Sequence, residues 1–189
     1  MAIVRVPQLG RTFIMPAEIE TFLADVGVEY QRWTRVHPIP AFSSAEEILR
    51  IYKPELESYK KKKNFHGYNV LDLTAKTPRL DDTLRAFKGE HWHASDEARF
   101  LVLGQGICYV HPPGRGVIAV EMEPGDLISI GPGVPHWFDL CAEQRFRAIQ
   151  FSCKRDETVY SGSGIEADYE PVYLGLAYFP AEKARTVGR

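Results

Sequence analysis

Four residues in this chain are of types and at spacings that could do chemistry together. His91 and His93 stand two apart, so on a strand both imidazoles leave the same face, and Glu97 follows at another even separation. Near-extended backbone through Ala94, Ser95 and Asp96, or a bulge there, brings the carboxylate to the same point. His136 opens a later extended run, directly behind the tight stretch Gly131-Pro132-Gly133-Val134-Pro135. Three neutral imidazoles and one carboxylate suit a borderline divalent ion, and an octahedral ion would keep positions open for a substrate and oxygen. A single His on a strand is ordinarily a hydrogen-bonded structural residue, and His-x-His alone recurs by chance. The joint pattern carries the reading: His91-x-His93, Glu97 and Gly104, then Gly125, Gly131-Pro132-Gly133 and His136.

The elements that must position these residues change character near Gly67. Before it, Ile19, Phe22, Leu23 and Val26 form one apolar stripe after Pro16, with Gly27 as a stop, which predicts a short amphipathic helix. Ser43 and Ser44 precede Glu46 and Glu47 by three residues, a capping-box pattern ahead of Ile48, Leu49, Ile51 and Tyr52. Pro54 should kink or restart that helix before Leu56 and Tyr59. Residues 1–66 are therefore expected to be a helical extension packed on the remainder of the chain. Beyond Gly67, β-branched and aromatic runs alternate with turn residues. Strands are predicted over Ala98–Leu103, Val117–Met122, Leu127–Ile130, His136–Leu140 and Phe146–Ser152. Gly104-Gln105-Gly106 reads as a turn with Ile107–His111 as the returning strand. Evenly spaced strands of this kind argue a sandwich or small barrel able to hold a ligand in its mouth, here over about residues 67–180.

The 189 residues fit a single domain, 1–189. No apolar run approaches the ~18 residues that cross a bilayer, and Met1–Gly10 lacks the apolar core of a secretory signal, so a cytoplasmic protein is expected. A net charge of −2 provides no positive field for phosphates, which argues against nucleic acid as a partner. The basic run Lys60–Lys63 follows a helical pattern and should complement a helix C-terminus while facing water. Cys108, Cys141 and Cys153 are odd in number and far apart, which suits buried reduced thiols. The expected partners are small molecules, met by a monomer without a membrane.

The histidine and glycine pattern resembles the cupin superfamily, whose two motifs contribute two His plus Glu and then a final His to one metal inside a double-stranded β-helix. Arg85 stands where many cupins begin the first motif with Gly, and Gly131 where the second usually has Pro. The likeness is sharper still. Glu90-His91-Trp92-His93, Asp96-Glu97-Ala98-Arg99-Phe100, Gly125-Asp126-Leu127-Ile128 and His136-Trp137-Phe138 resemble the acireductone dioxygenase family. Gly27–Trp33, Ile48–Tyr52 and Gly67-Tyr68 extend the similarity, which covers about residues 15–152.

The resemblance implies a mainly β fold, a cupin or jelly-roll barrel with N-terminal α-helices. It implies a dioxygenase of methionine salvage that splits an acireductone, a methylthio-bearing enediol ketone, with O2. With Fe(II) the products are formate and a 2-oxo acid; with Ni(II) they are formate, carbon monoxide and 3-methylthiopropanoate. His91, His93, Glu97 and His136 would hold one ion per chain. Arg99 would face substrate oxygens, and strand alternation independently sends it to the face of Glu97; a structural ion pair with Asp126 or Glu90 is the alternative. Phe87 and Phe138 would line the pocket or serve as plain core, while Trp92 and Trp137 alternate to the outer face. The chain departs from the family in two places. Gln150 replaces a family arginine, with Arg147 on the opposite strand face, and Tyr160 is the sole aromatic of the Ser/Gly-rich stretch Tyr160–Ile165, where the family closes its site with Trp. That stretch reads as a mobile loop. The departures leave open another enediol or diketone substrate, and a non-catalytic ligand- or protein-binding cupin is the alternative from another class.

Overall fold

Two antiparallel sheets face each other across an apolar interior, and the four candidate residues sit where the sheets meet. The computed structural model describes residues 1–33, 39–40, 42–141, 144–153 and 157–169. The strands are β1 (Ile3–Val6), β2 (Arg11–Phe13), β3 (Val28–Arg32), β4 (Gly67–Thr74), β5 (His91–His93) and β6 (Glu97–Gly104), followed by β7 (Gly106–Val110), β8 (Ile118–Met122), β9 (Asp126–Ile130), β10 (His136–Leu140), β11 (Arg145–Ser152) and β12 (Thr158–Tyr160). The helices are α1 (Pro16–Ala24), α2 (Ala45–Ile51), α3 (Lys53–Lys63) and α4 (Leu80–Lys88). Among the described residues one sheet runs β12-β5-β10-β7-β8-β1-β2 and the other β3-β9-β6-β11-β4. This is the mainly β barrel that the spacing of the turns predicts, in the cupin arrangement that the resemblance implies.

The interior is built from alternating positions of both sheets, among them Val4, Cys108, Val120, Met122 and Phe138 against Leu101, Ile128, Ile130, Phe146 and Ala148. Outer faces are covered too. Ile48 of α2, Tyr52 between the helices, and Leu56 and Tyr59 of α3 cover Phe100, Val102, Leu127, Ile149 and Phe151, while Tyr169 and Ile165 cover Tyr109 and Trp137. Burial on both faces is why Ile107–Val110 and Ile118–Met122 are apolar almost throughout instead of alternating.

The structure corrects the expectation of a purely helical first third. β1 pairs with β8, Val4 opposite Val120, and β3 pairs with β9, Tyr30 opposite Ile128, so residues 1–66 complete both sheets. The alternation Val28-Glu29-Tyr30-Gln31-Arg32 is the period-2 signal of a strand, with Val28 and Tyr30 buried. The predicted helices hold: Ser44 Oγ accepts from the Glu47 amide at 3.2 Å and Glu47 returns the bond at 2.8 Å, while Pro54 lies in the first turn of α3. Lys60–Lys63 end that helix, but they do more than face water. Lys62 and Lys63 both bind Glu29 at 3.1 Å, which ties α3 to β3. The far end of the expected barrel, residues 170–180, lies outside the described residues. Among those described, no helix is long and apolar enough to cross a membrane.

Gly104 is not the hinge of a hairpin. β6 and β7 lie in different sheets, so the Gly104-Gln105-Gly106 corner carries the chain from one layer to the other. Gly104 has φ +84°, and a Cβ there would overlap the Arg145 carbonyl. Gly114, at φ +73°, has nothing within 4 Å of an added Cβ. Gly114→Ala should therefore cost only the left-handed penalty of about 1 kcal/mol, whereas Gly104→Ala should cost about 3 kcal/mol or more. Denaturant unfolding of the two variants checks this, and equal losses would contradict it.

Candidate metal centre

β5 is three residues long, and alternation turns His91 and His93 inward while Trp92 turns away. β10 begins at His136, which stands directly opposite His91 in the ladder. The turn before it is held in place by backbone: the Gly133 amide donates to the His93 carbonyl at 2.8 Å and the Gly131 amide to the Gly27 carbonyl at 2.9 Å. Glu97 opens β6 in the facing sheet. One donor atom from each of His91, His93, Glu97 and His136 lies within 4.8 Å of the others, and all four residues are buried. His93 Nε2 is 2.9 Å and His136 Nε2 is 3.3 Å from Glu97 Oε2.

Main-chain carbonyls orient two of the histidines. Nδ1 of His91 lies 2.7 Å from the Gly89 carbonyl and Nδ1 of His136 lies 2.8 Å from the Val134 carbonyl. A carbonyl only accepts, so each Nδ1 carries the proton and each Nε2 keeps a lone pair for a cation. Burial, then the neighbouring His136, lowers the His91 pKa to about 4, which leaves a neutral imidazole at pH 7. Burial alone would raise Glu97, but the Arg99 guanidinium, with the His136 and His93 rings beside the carboxylate, holds its carboxyl well below the ordinary range. A neutral imidazole and an ionised carboxylate are the forms that bind a metal, so the donor set fits a divalent ion of the zinc-to-iron type.

Arg99 follows Glu97 on the same face and is buried, with Nη2 paired to Glu97 Oε1. Its guanidinium lies 5.0 Å from the ring of Phe87 on α4 and 5.4 Å from that of Phe138 on β10. The alternative partners are engaged elsewhere. Asp126 accepts from Tyr30 at 2.8 Å and Arg32 at 2.6 Å, and Glu90 faces His111 and Ser163, both at 2.7 Å. Arg99 Nε is buried with no hydrogen-bond partner, a donor held beside the four candidate ligands without an acceptor. Gln150 stands opposite Arg99 in the β11–β6 ladder, while Arg147 points outward to Asp72.

Several features of the site escape the sequence pattern. Helix α4, which delivers Phe87, is missed although Leu80, Leu84 and Phe87 have helical spacing and Leu84 is buried. The orienting carbonyls belong to backbone, which leaves no residue-type signal. The stretch expected to be a mobile loop is instead tied down. Tyr160 belongs to β12 opposite His91, its ring 5.7 Å from that imidazole, and its hydroxyl donates to the Ala86 carbonyl at 3.1 Å. Ser161 N donates to the Glu90 carbonyl at 2.9 Å, and Ser163 Oγ to the Glu90 carboxylate. Trp137 lies on the outer face as expected, stacked on Tyr109 at 4.9 Å. Cys108, Cys141 and Cys153 form no disulfide; Cys108 and Cys141 are buried as expected whereas Cys153 is only partly so, and burial pushes the Cys108 thiol up to about 12, an inert form. A wider groove near Gly27, Glu29 and Asp96, of about 540 Å³, lies apart from this centre, and its Glu29 is already bound by Lys62 and Lys63.

The ARD/ARD' family model matches residues 17–159. An acireductone dioxygenase of Aquifex aeolicus is 34% identical over 160 residues, 84% of this chain and 86% of that protein. One of Marinobacter nauticus is 36% identical over 173 residues, 90% of this chain and 92% of that protein. A solved acireductone dioxygenase from Bacillus anthracis, with a cadmium ion in its active center, matches with a TM-score of 0.78 at 28% identity, covering 85% of this chain and 98% of that one.

The lowered His91 pKa sets a pH dependence for the metal-free protein. The unfolded chain binds this proton near the ordinary value of 6.5 and the folded one only near 4. Stability should therefore be full above pH 6.5 and fall by roughly 3 kcal/mol as pH drops to about 4. The Glu97 contribution is lost further down, below the ordinary carboxylate range. His91→Gln should flatten the upper part of that profile in urea titrations, and an unchanged slope would contradict the assignment.

Proposed function

The chain belongs to the ARD/ARD' family, and on that premise we propose that it is a metal-dependent acireductone dioxygenase of methionine salvage. The substrate would be 1,2-dihydroxy-3-keto-5-methylthiopentene, consumed with O2. The observation that carries this reading is the convergence of His91, His93, Glu97 and His136 on one buried point, with the unsatisfied Arg99 Nε beside them.

His91, His93, Glu97 and His136 would hold one Fe(II) or Ni(II). When bound, the ion supplies Lewis acidity for a chelating enediolate. The carbonyls of Gly89 and Val134 keep two imidazoles turned to the centre, so the donors need no rearrangement. Arg99 would direct Nε at a substrate oxygen and favour the enediolate over the neutral enediol, its charge shared with Glu97. Phe87 and Phe138 flank the guanidinium and shield it from water. Tyr160, half exposed beside His91, would meet the substrate at the mouth.

With Fe(II), formate and the 2-oxo acid are the expected products; with Ni(II), formate, carbon monoxide and 3-methylthiopropanoate. The donor set accepts both ions, so availability decides between them. A second reading changes only the substrate, to another enediol or diketone. Gln150 beside Arg99 and Tyr160 at the mouth favour it, because both alter groups that a bound substrate would touch.

Loading the metal-free protein with each ion and analysing products by chromatography and gas detection should give carbon monoxide with Ni(II) alone. Full oxygen uptake on another enediol with none on the methylthio compound would favour the second reading. Arg99→Lys keeps a charge beside Glu97 but loses the planar fork. It should lower kcat about 100-fold while metal content is retained; wild-type turnover would remove Arg99 from the reaction.

A further inference from the structure

A second polar cluster, outside the four candidate ligands, is built on Glu90 and His111. Glu90 is buried one residue before His91, and each oxygen of its carboxylate has a donor. His111 Nδ1 lies 2.7 Å from Oε1, and Ser163 Oγ donates to Oε2 at 2.7 Å. A carboxylate accepts, so His111 Nδ1 is the donor of its pair. On the other side of Glu90, its carbonyl takes the Ser161 amide at 2.9 Å. His111 directly follows β7, and its own amide donates to the Pro135 carbonyl at 2.8 Å. β10 lies between β5 and β7 in the sheet, so the Glu90–His111 bond spans the start of β10, where His136 stands.

These contacts meet at the two carbonyls that orient the imidazoles. The Gly89 carbonyl holds Nδ1 of His91 and the Val134 carbonyl holds Nδ1 of His136. Glu90 and Pro135 are the residues that separate those carbonyls from the histidines they hold, and His111 binds both, one through its ring and the other through its backbone. The sheet itself does little to fix the two histidines against each other, because β5 pairs with β10 only at His91 and His136. We propose that His111 is a positioning residue for the metal centre, an inference that rests on the ligand reading above. By tying Glu90 to Pro135 it holds the Gly89 and Val134 carbonyls in register, and through them the direction of two Nε2 lone pairs. Ser161 and Ser163 hold Glu90 from the side of β12, so the tie has a fixed anchor. Groups outside the ligand set that orient ligating imidazoles are typically worth roughly 10–100-fold in metal affinity.

The test removes the ring donor and needs no turnover. His111→Leu keeps the backbone bond to Pro135 and loses the one to Glu90. Zinc affinity, measured by chelator competition, should fall about tenfold. In nitrogen-15 spectra of the metal-free protein, the imidazole Nδ1–H signals of His91 and His136 should broaden as the rings exchange tautomers. A loss of global stability alone would leave both readouts unchanged in the folded molecules. His111→Asn, whose amide nitrogen falls near the position of Nδ1, should restore them. If the leucine variant does not fold, His111→Gln, whose amide nitrogen falls near Nε2 instead, carries the same expectation. Wild-type zinc affinity with unchanged imidazole signals in the leucine or glutamine variant would overturn the proposal, as would an asparagine variant no better than leucine. Failure of the wild type to bind zinc would count against the metal centre itself, while the tautomer signals of the metal-free protein still judge His111, so the two failures are distinguishable.

Discussion

Everything at the centre depends on one buried carboxylate remaining ionised. Glu97 comes from one sheet and meets His93 and His136 from the other, with Arg99 at its second oxygen. Taking these charges out of water is expensive, and a buried ion pair of this kind rarely adds stability on balance. The arrangement is better understood as stored binding capacity. The imidazoles crowd one another, with the His91 and His136 rings 4.5 Å apart, and a cation among them would engage their free lone pairs and draw the two sheets together. Metal binding should accordingly be coupled to the stability of the whole barrel.

The second requirement is orientation, and the main chain supplies it. Gly89 and Val134 carbonyls fix two of the rings, and Gly133 fixes the approach of β10 to β5. The aromatic pair over Arg99 comes from two separate elements, α4 and β10, so the guanidinium is held by packing as well as by charge. Segment 160–163 closes the arrangement from outside through Glu90, the residue just before the first candidate ligand.

Much of this is legible in the sequence because strand geometry has a period of two. His91, His93, Glu97 and Arg99 fall on one face by counting alone, and the outward turn of Trp137 and Arg147 follows from the same rule. What stays hidden has a physical reason in each case. Gly104-Gln105-Gly106 is compatible with a hairpin and with a corner between sheets, and only the packing of β6 against β9 and β11 decides. β1 is four residues long and its Arg5 is buried against Glu121 at 2.6 Å, so the run is too short and too fully covered to show a half-buried pattern. The Ser/Gly composition around Tyr160 signals flexibility, yet the bonds that hold the segment come from Glu90 and Ala86, far away in sequence. Membership of the ARD/ARD' family then connects this geometry to a substrate class that composition alone does not name.

The most direct measurement is X-ray absorption at the metal edge of the Fe(II)-loaded protein, with metal content determined for wild type and His136→Ala. The account predicts one ion per chain surrounded by nitrogen and oxygen only, and loss of that ion when His136 is removed. A sulfur neighbour in the spectrum, or full metal retention in His136→Ala, would show that the cation is held somewhere other than between the two sheets.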